Sequence, residues 1–339
     1  MPSAPLLQLD RLSTHYVSAQ GTRIVRAVDE VSLSLNAGET LGIVGESGSG
    51  KSTLALTLLR VLPPAARIVG GRMLLDGEDL VQKSDVEMRE IRGKKIAMIL
   101  QDPMASLNPL FTIGNQVAEP IQVHEGARRK TAWERARALL KAVRIQSPEA
   151  RVKQYPHEMS GGMRQRIVGA IGISCEPRLL IADEPTTSLD LTIQAQYLNL
   201  LRELQREHGL ALIFITHNLG IVAKMCDQLA VMYAGRVVES GPVSRIFNAP
   251  THPYTEALLN SIPRMSDPDQ RLTAIDGQPP NLAALPPGCA FAPRCLQAVP
   301  RCREAAPPPF VPEEGRTARC WLAEPSVAPA DQRVASGAI

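Results

Sequence analysis

"ETLGIVGESGSGKSTLALTLL", residues 39–59, decides how the rest of the chain is read. A short apolar run of strand length enters the pattern G-x-x-x-x-G-K-[ST] at Gly45–Ser52, and a helix-forming run follows it. Chemistry on a phosphate chain needs this order of parts. Glycines let the backbone N–H groups of Gly45, Glu46, Ser47, Gly48, Ser49 and Gly50 turn toward phosphate oxygens, and the helix N-terminus adds positive potential. Lys51 can reach the β- and γ-phosphates, and the Ser52 hydroxyl, with Thr53 behind it, can ligate Mg²⁺. An ordinary glycine-rich turn is the plain alternative, and the strand–loop–helix context argues against it.

A second stretch supplies what a bare phosphate loop lacks. "RLLIADEPTTSLD", residues 178–190, is an apolar strand that ends in two carboxylates, Asp183 and Glu184. The first can hold Mg²⁺ through water, and the second can polarise an attacking water. Together with Gly45–Ser52 they point to nucleotide hydrolysis.

Working outward, the chain has 339 residues, of which 44% are hydrophobic, enough for one large domain or two ordinary ones. A formal net charge of +3 is too small to argue for a nucleic-acid partner. The first residues lack a basic segment followed by an apolar one, and no apolar run nears the roughly 18 residues that span a bilayer. A cytosolic setting is the simplest expectation, and it disfavours stable disulfides. Val31, Leu33 and Leu35 alternate with Ser32 and Ser34, which predicts a half-buried antiparallel strand. Trp133, Ala136, Leu140 and Val143 recur at helical spacing within a helical segment of about 112–175. Strands return at 178–182 and 210–216, followed by a hairpin turning near Ala234–Gly235. Of the 28 prolines, 13 fall in residues 268–339, a density that opposes regular helix and central strand and predicts a loop-built appendix.

Five motifs in one order then carry a family resemblance. They are Gly45–Ser52; Gln101 in "AMILQDPMASLNP"; "MSGGMRQR" at 159–166; Asp183–Glu184 followed by "SLD"; and His217 in "FITHN". The chain resembles the ATP-binding cassette (ABC) ATPases over some 200 residues. That resemblance implies an α/β fold: a RecA-like core, an antiparallel β-subdomain and an α-helical subdomain, spanning residues 1–265. It also implies roles. Glu184 would be the general base and His217 the γ-phosphate sensor. Gln101 would touch Mg²⁺ or the lytic water, with Ser52 and Asp183 completing the magnesium set. Ser160, Gly161 and Gly162 would cap the ATP held by an opposite subunit, and Asp190 would cross the dimer interface. Tyr16 is placed like the aromatic that stacks on adenine, with a core tyrosine as the alternative. Met159 and Met163 depart from the family's usual Leu-Ser-Gly-Gly-Gln, and Asn218 stands where aspartate is common.

"LQDPMASLNP" (100–109), "EPTTSLDLTIQAQ" (184–196), "THPYTEALL" (251–259) and the cysteine-bearing tail narrow the resemblance to the ATPase subunits of peptide importers, D-type. It implies ATP-powered import of dipeptides or short oligopeptides, with nickel, glutathione or another small solute as the alternative. The implied partners are a second, F-type ATPase, two membrane permeases and a periplasmic binding protein, with the chain at the cytoplasmic face of the inner membrane. Non-transport ABC ATPases of repair and translation usually carry a long coiled coil or two cassettes, and neither is present here.

Cys289, Cys295, Cys302 and Cys320 lie in the expected extension, residues 266–325, and a flexible tail is expected at 326–339. Their spacing lacks the C-x₂-C-like pair usual in structural zinc sites. Four thiolates on an irregular loop can bind a [4Fe-4S] cluster, and the family's C-terminal segment resembles such a site. The expectation is a cluster, with zinc or four reduced thiols as alternatives. Cys175 and Cys226 read as core thiols.

Overall fold

A computed structural model describes residues 4–187, 189–261 and 274–324. The expected boundary between cassette and extension at 265/266, and the tail from 326, lie outside the described residues.

Three short strands have every residue buried: β3 (Thr40–Val44), β7 (Leu179–Asp183) and β8 (Ala211–Ile215). Uninterrupted burial is what strands need when both faces of a parallel sheet are covered. They form the middle of an eight-stranded sheet with β6 (Ile96–Ile99), β9 (Gln228–Tyr233), β10 (Arg236–Pro242), β11 (Phe310–Glu313) and β12 (Arg316–Ala318). The order is β11-β12-β10-β9-β3-β8-β7-β6, parallel from β9 to β6 and antiparallel beyond β9. The β9–β10 hairpin turns at Ala234 and Gly235, both at positive φ (49° and 82°), as a two-residue hairpin turn demands.

A second, four-stranded antiparallel sheet has the order β2-β1-β4-β5: β1 (Leu7–Val17), β2 (Ile24–Leu35), β4 (Ala66–Leu75) and β5 (Glu78–Asp79). Val31 and Leu35 are buried and Ser32 and Ser34 exposed, as their alternation predicts. Helices occupy Ile113–Glu125, Arg129–Ala142, Pro148–Arg151 and Gly161–Ile173. Ala136 and Leu140 on the second of these, and Val143 capping its C-terminus, are fully buried. The three-part architecture expected of the fold is thus present: core sheet, antiparallel sheet and helical layer.

The proline-rich segment is not loop alone. β11 and β12 form a hairpin that pairs with β10 and lengthens the core sheet at its edge. Pro312 is tolerated because β11 is the outermost strand, where a missing N–H leaves no ladder bond unmade. The anchor is electrostatic. Glu239 on β10 is fully buried and accepts from Arg316 Nη2 (2.6 Å), Thr251 N (2.9 Å) and His252 N (3.0 Å). Removing one partner of so buried a pair costs about 3–5 kcal/mol. Among the described residues no helix is long and apolar enough to cross a membrane.

Candidate active site

The phosphate loop follows β3 and leads into the helix Lys51–Leu59. Gly45 and Gly50 sit at φ 152° and 105°, and a Cβ on either would strike a carbonyl oxygen, Met232 or Ala27 respectively. Only glycine fits both conformation and space at these two turns. The first N–H groups of the following helix have no intrahelical acceptor and face the loop's concave side. Lys51 is folded over that concavity: its ammonium donates to Gly45 O (2.7 Å) and Glu46 O (3.0 Å). Burial pushes the Lys51 amine below the usual lysine range, and Glu184, Asp183 and Glu46 pull it back toward the charged form.

Asp183, at the end of β7, is buried and takes a hydrogen bond from the Ser52 side chain. Burial raises its pKa above the usual aspartate range. A cation beside Ser52 and Asp183 would restore the ionised carboxylate, so the pair suits Mg²⁺.

Glu184 follows with a positive φ of 45°, an uncommon conformation for a side chain of this kind. Its N–H donates to Ile215 O (2.9 Å), which fixes the turn against β8. The carboxylate is thereby set among three groups from three segments. Gln101 Nε2 donates to Oε2 (2.9 Å), the Thr187 hydroxyl donates to the same oxygen (3.1 Å), and His217 Nδ1 lies 3.4 Å from Oε1. Gln101, Glu184 and His217 are therefore brought together, and Lys51 and Asp183 lie close enough to Glu184 to feel its charge. Tyr16 on β1 is half-buried, its hydroxyl 3.4 Å from Thr53 Oγ1, beside the start of the phosphate-loop helix.

Ser160, Gly161 and Gly162 do not join this cluster. Ser160 caps the helix Gly161–Ile173 by accepting from Met163 N (3.3 Å), and Asp190 caps Leu191–His208 by accepting from Thr192 N and Ile193 N. Both caps border one open cleft of about 490 Å³ with Leu189 and Ile193, and no phosphate-loop residue lines it. Within one chain, Ser160–Gly162 and the phosphate loop therefore border different spaces. The departures from the common motif have local reasons: Met159 is buried in the helical core, and Asn218 accepts from Ile221 N to cap the helix Leu219–Met225.

The chain matches the ABC transporter family over residues 28–187 and the oligopeptide/dipeptide transporter C-terminal region over residues 238–302. It is 46% identical over 318 residues to the dipeptide transport ATP-binding protein of Bacillus subtilis, covering 94% of each chain. It is 47% identical over 281 residues to the oligopeptide transport ATP-binding protein of Haemophilus influenzae, covering 83% of this chain and 86% of that one. The chain belongs to the ABC transporter ATP-binding proteins of the oligopeptide/dipeptide group. As an ABC ATPase it binds ATP and Mg²⁺ and hydrolyses the nucleotide. Its fold is similar to an ATP-binding cassette solved as a post-hydrolysis dimer with ADP and phosphate: TM-score 0.63, 26% identity, covering 70% of this chain and 98% of that one.

The expected [4Fe-4S] cluster on Cys289, Cys295, Cys302 and Cys320, and the zinc alternative, are corrected by this ABC ATPase structure. Among the described residues no group of three or more His, Cys, Asp or Glu side chains is arranged to hold a metal ion. The four free thiols instead border a small apolar cavity of about 20 Å³ with Phe291, Trp321 and Leu322, room for about one water. Burial pushes the Cys289 and Cys295 thiols up, and Cys320 up to about 11, favouring the thiol over the thiolate a metal requires. Cys289 and Cys295 pack as small hydrophobes beside Tyr254 and Phe291, and Cys320 beside Ala318 and Phe310. Cys175 is a buried thiol as read; Cys226 is partly buried, and desolvation pushes it up to about 12.

Two residues at the site escape sequence reasoning. Thr187 completes the hold on Glu184. Arg294, from the extension, grips Glu46 in the phosphate loop. The signal for the second was available: an anion inside a phosphate-binding loop calls for a neutralising cation.

Proposed function

We propose that this chain is the ATP-hydrolysing subunit of an importer for dipeptides or short oligopeptides, working at the cytoplasmic face of the inner membrane. The observation that carries the reading is the cluster at the end of β7: one carboxylate, Glu184, held by Gln101, Thr187 and His217 next to a lysine-closed phosphate loop. In this reading Lys51 and the loop N–H groups hold the β- and γ-phosphates, and Tyr16 stacks on the adenine. Ser52 and Asp183, with Gln101, hold Mg²⁺, which supplies charge screening for the phosphates. Glu184 accepts the proton of the attacking water, and His217 donates toward the γ-phosphate.

The separation of Ser160–Gly162 and Asp190 from the phosphate loop supports a two-subunit site, in which the signature of one ATPase caps the nucleotide of the other. An F-type relative is the proposed second subunit. Leu100, Met104, Leu110 and Phe111 are exposed around the segment that follows Gln101. So much apolar side chain in water supports a partner surface there, which we assign to one of two permeases. A periplasmic peptide-binding protein would deliver the cargo, and nucleic acid has no place in the scheme. The cassette spans residues 1–265 and the extension 266–325, with helices of about 112–175 as the subdomain nearest the permease.

The test is reconstitution of the chain with permeases, a binding protein and a second ATPase from the same organism, followed by uptake of dipeptides, nickel and glutathione. ATP-dependent accumulation of dipeptides is expected. Uptake of nickel or glutathione alone would replace the cargo, and full substrate-independent turnover by the lone chain would overturn the transporter reading.

A further inference from the structure

The Glu46 side chain is out of place electrostatically. It lies in the loop that must receive a triphosphate, and an unpaired carboxylate there would repel the ligand. The structure answers this from the far end of the chain. Arg294 meets Glu46 with both prongs, Nη1 to Oε2 at 2.8 Å and Nη2 to Oε1 at 3.0 Å. Its remaining donors are also used: Nε to Asp276 O (2.9 Å), Nη1 to Tyr233 Oη (3.2 Å) and Nη2 to Ile275 O (3.2 Å). The Arg294 side chain is 6% exposed, and its guanidinium lies over the rings of Tyr233 and Phe291. A surface ion pair is worth little, but a two-pronged pair with every donor occupied on an aromatic floor is a positioned group.

Glu46 is held at two further points. Its N–H donates to Tyr254 Oη (3.0 Å), and its carbonyl accepts from the Lys51 ammonium (3.0 Å). One residue therefore joins the extension, the helix Pro253–Asn260 and the phosphate-binding lysine. Tyr233, Tyr254 and Phe291 pack edge and tilt against one another beneath it.

We propose that Arg294 is a positioning residue for the phosphate loop: it neutralises Glu46 and fixes its side chain, so that ATP affinity depends on the docked C-terminal extension. This rests on the nucleotide site described above. Full-length protein is titrated with Mg·ATP, and KM and kcat are measured in the assembled transporter. Arg294→Ala should weaken ATP binding about ten-fold or more, with the loss in KM and little change in kcat. Adding Glu46→Gln to Arg294→Ala should recover most of that affinity, because the repelling charge is gone; a merely structural role for Arg294 would give no such rescue. If Arg294→Ala does not fold, Arg294→Lys keeps the charge and loses the fork, and its smaller loss should likewise be relieved by Glu46→Gln. Wild-type affinity in a folded Arg294→Ala protein, or a double variant as weak as the single, would overturn the proposal. Wild-type protein that binds no ATP would overturn the nucleotide site itself, and the clamp with it.

Discussion

Replacing Glu184 by glutamine separates chemistry from binding more cleanly than any other change. In the structure both Gln101 Nε2 (2.9 Å) and the Thr187 hydroxyl (3.1 Å) donate to Oε2, while Oε1 faces His217 Nδ1 at 3.4 Å. A glutamine with its carbonyl oxygen in the Oε2 position keeps both hydrogen bonds. Its NH₂ then faces His217, whose Nδ1 can accept. The turn is held by the backbone bond to Ile215 O, which the substitution leaves alone. Shape is thus preserved and only the proton acceptor is lost. A positioned general base contributes about 10²–10⁴-fold, equivalent to about 3–5 kcal/mol of barrier. The expected result in the assembled transporter is a kcat lower by that factor, with ATP affinity of the full-length chain unchanged, since Lys51 and the loop are untouched. Steady-state phosphate release and Mg·ATP titration measure the two quantities. A kcat within about three-fold of wild type would refute the assignment of Glu184 as base.

Lys51→Ala should act on the opposite quantity, weakening ATP binding by roughly ten- to a hundred-fold through loss of charge-assisted hydrogen bonds, as read by the same titration. The isolated chain should hydrolyse ATP slowly and without response to peptide, and Ser160→Arg should silence the site whose phosphate loop lies on the second subunit; turnover assays on mixed variants check this. His252 is fully buried, and desolvation, against an opposing pull from Glu239, lowers its pKa to about 4. The unfolded chain binds the proton first, so this contribution is intact above about pH 6.5 and is lost as pH falls toward 4, up to about 3 kcal/mol. His252→Asn, which can still accept from Tyr254 N, should flatten that limb in thermal melts taken from pH 7 to 4.

The residues that could be read directly are those whose work is local. Gly45–Ser52 is a contiguous backbone shape, and the conformations of Gly45 and Gly50 follow from what only glycine can adopt. The buried strands Leu179–Asp183 and Ala211–Ile215 and the turn at Ala234–Gly235 are equally short-range. Such features are written in neighbouring residues, and no tertiary contact is needed to select them. The helical spacing of Ala136, Leu140 and Val143 belongs with them, because a periodic face declares its own burial. Tertiary structure decided the rest. Gln101 reaches Glu184 across 83 residues and Arg294 reaches Glu46 across 248, and no pattern of neighbours encodes partners so distant. The strand Arg316–Ala318 is three residues long, too short to show a period, and exists because β10 offers it a ladder. The four cysteines mark the limit most plainly. Their spacing admitted metal or thiol alike, and the choice fell to burial: an apolar seam with space for about one water pushes the Cys289, Cys295 and Cys320 thiols up, and only the folded chain makes that seam.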